Sequence, residues 1–144
     1  MSVEVHLSGL ERWPHLVPLA PDVRRAARAA LATAAVSTGE LSITFVADEE
    51  IGRLNREWLG HEGPTDVIAF ALEGEELAGD IYIAPDTAGR NANALGIGPD
   101  EELLRLVVHG TLHILGHEHP DGEDRYEAPM FTLQEELLRG LTDG

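Results

Sequence analysis

Residues His109 to His119 (HGTLHILGHEH) hold four of the seven histidines of this 144-residue chain. His109 and His113 are four positions apart, so on a helix their rings share one face, with Cβ atoms roughly 6 Å apart. Two imidazoles at that separation can chelate one metal ion. Gly116, three residues after His113, is suited to the left-handed conformation that ends a helix. The chain can then turn back and deliver His119 to the same ion. The pattern therefore predicts a three-histidine metal site, with His109, His113 and His119 as ligands.

Structural zinc sites are closed, four-coordinate and usually built on thiolates, whereas catalytic ones hold three protein ligands and leave a position for water. The chain has no cysteine, which favours the catalytic kind. Two alternatives stand beside it. His117 or Glu118 would close the shell as a fourth ligand, or the histidines merely lie on an amphipathic helix.

Zincin peptidases use the same i, i+4 pair with a glutamate directly after the first histidine as general base. Every position of the longer metzincin spacing is matched here except that one, where Gly110 stands. Peptide hydrolysis needs a base to activate water and an acid for the leaving amine, and glycine is neither. Three neutral imidazoles leave the ion's full charge for an anionic substrate, and such an ion lowers the pKa of bound water toward ~7. Phosphodiester hydrolysis fits better. Met130, eleven residues past His119, resembles a Met-turn but reads as core.

The elements that must hold these residues follow from periodicity. Val3, Val5 and Leu7 alternate with polar residues as a strand. A loop with Pro14 and Pro18 leads to an Ala-rich helix from Asp22 to Val36, where Arg24, Arg25 and Arg28 read as a solvated face rather than an RNA-facing patch. Leu41 to Ala47 is a strand, and Asp48 is expected to cap a helix from Glu49 to Trp58 that Gly60 ends. The apolar run Asp66 to Leu72 predicts a central strand, with Gly79 to Ala84 as its hairpin partner. A short helix runs from Pro85 to about Leu95. The next helix, from Pro99, carries His109 and His113 and is apolar on most sides, so it should be buried. Pro129 to Leu138 forms the last helix. The order βαβαββααα predicts an α+β domain spanning residues 1–144: a four-stranded mixed sheet, about five helices, and the metal site on a buried central helix.

Composition narrows the function classes. Apolar content is 43% and charged content 25%, ordinary for a globular protein. Net charge is −16 and all ten basic residues are Arg, which argues against broad phosphate coating. Nucleic-acid contact would have to come from a local Arg patch plus the metal. With no cysteine, no signal-peptide pattern in Met1 to Trp13 and no apolar run near the ~20 residues of a membrane span, a cytoplasmic protein is expected.

The histidine segment closely resembles the signature of the YbeY family of bacterial endoribonucleases, or rRNA maturation factors. Leu54-Asn55, Pro64 to Ile68 with Phe70, and Gly79 to Ile81 leading to Pro85 also resemble the family, as do Met130-Phe131 and Gln134 to Glu136. The likeness extends over Val3 to Leu138. It implies a metal-dependent endoribonuclease directed at single strands, acting in 16S rRNA 3′-end maturation and ribosome quality control. One Zn2+ on His109, His113 and His119 is implied, with rRNA, the small ribosomal subunit and ribosome-associated proteins as partners. Many members carry Arg where this chain has Leu59. The family Arg is implied to assist catalysis; Arg56, or Arg53, is the candidate to substitute for it, with Arg56 as a substrate-binding residue and Asp66 lining the cleft. Glu118 stands where the family usually has Asp, as a ligand orienter, a proton shuttle or plain surface charge, and His117 where it often has Tyr. Two readings compete: an assembly factor with a structural metal, and a metallohydrolase of small phosphoesters.

Overall fold

The computed structural model describes residues 2–36, 38–72, 74, 76–117 and 129–142. Strand β1 (Ser2–Ser8) buries Val3 and Val5 and turns Glu4 and His6 outward, the period-2 pattern of a strand with one covered face. Two short 3-10 turns, Leu10–Arg12 and Pro14–Leu19, occupy the expected loop. Helix α1 (Ala20–Leu31) buries Val23, Ala26, Ala27, Ala30 and Leu31. It stops short of Val36. The Thr33 hydroxyl donates to the Ala30 carbonyl at 2.7 Å, a local bond that competes with helix continuation. The guanidiniums of Arg24 and Arg28 do not simply face water: they donate to the Val5 and Val3 carbonyls of β1.

Strand β2 (Thr38–Phe45) is followed by helix α2 (Asp48–Leu59), which ends on Gly60 as its composition suggests. Asp48 is not the cap. It sits one residue inside the helix, and its carboxylate accepts from Thr87 Oγ1 and Arg90 Nη2, each at 2.6 Å. Ala47 takes the cap position, with its N–H donating to Glu50 at 3.3 Å. Strands β3 (Val67–Ala71) and β4 (Leu77–Ile83) pair antiparallel, whereas β1–β2 and β2–β4 are parallel. Helices α3 (Pro85–Leu95), α4 (Pro99–Ile114) and α5 (Pro129–Thr142) follow among the described residues. Among the described residues the fold is thus the expected α+β arrangement, with a four-stranded mixed sheet and five α-helices.

The sheet order is β1-β2-β4-β3, so the apolar β3 is an edge strand and not a central one. Its sequence reports two covered faces. Val67 and Ala69 join the main core, formed by Leu41, Ile43, Phe45, Ile81 and Ile83 with α1, α4 and α5. Ile68 and Phe70 point the other way, into a smaller cluster with Ile51 and Leu54 of α2 and Tyr82 of β4. Helices on both faces make a strand apolar wherever it lies in the sheet.

Helix α4 lies close against the sheet because two glycines allow it. A Cβ on Gly79 would meet Ile114 Cγ2 at 2.6 Å, and one on Gly110 would meet Ile81 Cγ2 at 2.9 Å. Leu103, Leu104, Leu106, Val107, Val108, Leu112 and Ile114 are all buried. At about 1.5–3 kcal/mol per fully buried aliphatic side chain, this burial fixes the helix firmly as a scaffold.

Candidate metal centre

The half-open stripe of α4 runs through Glu101, Arg105, His109 and His113, at successive four-residue steps, while the residues between them are buried. The histidines therefore sit on a buried helix but reach its accessible side. Their ring centroids are 4.7 Å apart with the planes at 75°. Past His113 the helix closes as its glycine predicts. Gly116 takes φ 101°, its N–H donates to the His113 carbonyl at 3.0 Å, and the His117 N–H donates to that of Leu112 at 3.0 Å. This paired closure turns the chain sharply after the second histidine.

Helix α5 lays a polar seam beside the stripe. Gln134, buried, places Oε1 2.7 Å from His109 Nδ1 and donates from Nε2 to Glu135 Oε2 at 3.0 Å. Glu135 accepts two hydrogen bonds from Arg105, Nε to Oε2 at 2.9 Å and Nη2 to Oε1 at 3.0 Å. Arg105 also donates to Glu102 at 2.8 Å. Of the residues that surround His109 in this seam, the sequence marked only Gln134 and Glu135, as part of a resemblance and without a role. The partners lie 25 and 30 positions apart, beyond any local pattern.

One guanidinium serves two carboxylates unequally. Burial would raise the Glu135 pKa, but hydrogen bonds from Arg105 and Gln134 outweigh it and hold the carboxyl below its ordinary value. Glu102 is raised, first by burial, which its single bond to Arg105 does not offset, and further by the charges of Asp66 and Glu135. The signs follow from linkage. Glu135 adds stability above the ordinary value of 4.5, lost as pH falls through its lowered folded value. Glu102 binds its proton more tightly when folded, so its charge costs stability as pH rises past 4.5. Glu102→Gln is therefore expected to be neutral or stabilising by up to about 1 kcal/mol at pH 7, and Glu135→Gln to cost about 1.5–3 kcal/mol. Urea unfolding at pH 7 and pH 4 checks both, with the two differences shrinking at the lower pH.

The donor set fits a zinc-type cation: two imidazoles one turn apart, with His109 Nδ1 already engaged by an amide oxygen, as metal-bound histidines commonly are. His119 and Glu118 lie outside the described residues. Asp66 is half-buried; its side chain accepts from Asn91 at 3.4 Å, and its charge is felt by Glu102 of α4. Arg56 is exposed on α2, which packs on the face of the sheet opposite α4. Arg12, Arg25, Arg90 and Arg105 are held by carboxylates and Arg24 and Arg28 by β1. Among the described residues, Arg53 and Arg56 form no ion pair. Met130 is buried in the main core, and His117 is half-buried.

A second cluster of ligand-type atoms, Glu4, His6 and Glu40, lies exposed on the far face of β1 and β2. It is separate from the histidine stripe. A cleft of about 470 Å³ between the 3-10 turns and α3 is lined by Trp13, His15, Arg90 and Asn93, and its Arg90 is already neutralised by Asp48. No helix among the described residues is long and apolar enough to cross a membrane.

Comparison with known proteins adds the family. Residues 18–142 match the family model described as Endoribonuclease YbeY. Similar proteins carrying that name include one from Halalkalibacterium halodurans, 43% identical over 124 residues, covering 75% of this chain and 77% of that protein. Another, from Limosilactobacillus fermentum, is 41% identical over 143 residues, covering 85% and 90% respectively. The solution structure of TM1509 from Thermotoga maritima is similar with a TM-score of 0.64 at 25% identity, over 98% of this chain and 89% of that one.

Proposed function

This chain belongs to the YbeY endoribonuclease family, and on that premise we propose that it is a metal-dependent endoribonuclease acting on single-stranded rRNA. Maturation of the 16S rRNA 3′ end and ribosome quality control are the proposed settings, in the cytoplasm, with the small subunit and its associated proteins as partners. The observation that carries the reading is the pair His109 and His113 on the open stripe of an otherwise buried helix, with Gln134 against His109 Nδ1. His109, His113 and His119 would hold one Zn2+. Bound there, zinc would polarise a phosphoryl oxygen and neutralise charge developing on the phosphate.

The chain's own residues do the remaining work. Gly110, flush against Ile81, leaves no room for the glutamate a peptidase of this pattern needs, which supports phosphodiester over peptide hydrolysis. The Glu118 carboxylate, beside the third ligand in sequence, is proposed to move the proton of the attacking water. Arg56, which forms no ion pair among the described residues, offers a guanidinium to RNA phosphates approaching an otherwise acidic surface. Asp66 is proposed to line the cleft.

Single-stranded RNA incubated with metal-loaded protein is expected to be cut, with cleavage stopping in chelator and returning with added zinc. Cleavage that persists in chelator refutes the metal. Turnover of a small phosphodiester with RNA left intact would refute the substrate.

A further inference from the structure

We infer that Gln134 is a positioning residue that selects the tautomer of His109, and that Glu135 and Arg105 hold Gln134 in the orientation that does so. An amide side chain can present either its oxygen or its nitrogen, and the neighbours decide which. An ionised carboxylate only accepts hydrogen bonds. Glu135 is kept ionised by two bonds from Arg105, so the group Gln134 turns toward Glu135 Oε2, at 3.0 Å, is its NH2. The amide oxygen then faces His109 Nδ1 at 2.7 Å. An oxygen of that kind cannot donate, so Nδ1 carries the hydrogen. In the neutral ring the lone pair is left on Nε2, which becomes the coordinating atom.

Burial of Gln134, 4% exposed, makes the choice costly to reverse. A flipped amide would set NH2 against Nδ1–H and an oxygen against a carboxylate, two repulsive contacts with little water to relieve them. The seam thus transmits the fixed charge of Arg105 through Glu135 and Gln134 to one ring nitrogen. This rests on the reading of His109 as a metal ligand, but the tautomer itself is a property of the metal-free protein.

The test begins without metal. Long-range proton–nitrogen correlation spectra of the 15N-labelled, metal-free protein, above the pH of ring protonation, are expected to show His109 as the Nδ1–H form. An Nε2–H form in the wild type overturns the inference with no variant needed. Gln134→Leu is expected to lose this preference and to bind zinc about 10–100-fold more weakly. Zinc affinity is measured by competition with a chelator. Affinity unchanged by His109→Ala overturns the metal reading on which the inference rests. Affinity lost in His109→Ala but kept in Gln134→Leu overturns the positioning role alone.

Discussion

Alanine in place of His113 is expected to remove zinc binding and RNA cleavage together while the domain stays folded. The ring lies on the accessible stripe of α4, half-buried, and faces His109 across 4.7 Å. It is not a member of the main core, whose α4 contributions come from the neighbouring leucines and valines. Alanine also has the highest helix propensity, so the helix loses a ligand and gains backbone preference. The cleavage rate should fall by roughly 10³-fold or more, beyond the 10–100-fold typical of residues that only orient ligands. Elemental analysis, circular dichroism, a thermal melt and a single-stranded RNA assay on one preparation decide the matter. A variant that unfolds when the metal is lost points instead to a structural ion and an RNA-binding assembly factor. A folded, zinc-free variant that still cuts RNA would remove the histidines from catalysis altogether.

The site's scaffold was readable because it is local. The apolar density from Leu103 to Leu112 announced a buried helix, the four-residue spacing of His109 and His113 put their rings on one face of it, and Gly116 announced its end; all three hold in the structure. Features set by distant partners were not readable. The apolar run of β3 suggested a central strand because sequence records that both faces are covered, not which strands stand beside it. Asp48 has the chemistry of a cap, yet Thr87 and Arg90, 39 and 42 positions away, claim its carboxylate. Its pKa registers the same competition: burial pushes it up, and the two hydrogen bonds pull it further down. Arg24 and Arg28 looked like a solvated face because β1, whose carbonyls they reach, precedes them by 19 and 25 positions. The polar seam beneath the histidines belongs to this second kind, and its centre is a single guanidinium.

Replacing Arg105 by methionine is expected to cost about 3–5 kcal/mol, the range for removing one partner of a buried ion pair. Methionine keeps much of the volume, so the loss is electrostatic rather than a cavity. The side chains of Glu102 and Glu135 are only 8% and 23% exposed, and without Arg105 both carboxylates lose their main counter-charge. The structure shows how little reserve there is, since Glu102 already has a raised pKa with Arg105 in place. Urea unfolding should therefore show a deficit that is largest near pH 7 and shrinks in acid, as the two carboxylates take up protons and no longer need a cation. Glu102→Gln combined with Glu135→Gln in the methionine background should recover most of the loss at pH 7. A deficit that ignores pH would mean that packing, not charge, is what Arg105 supplies. The variant should bind zinc more weakly as well, because an unanchored Glu135 no longer dictates which end of the Gln134 amide faces His109. Stability and metal affinity falling together, with the second restored less completely by the glutamine pair, is the signature of a charge that holds the fold and sets a ring nitrogen at once.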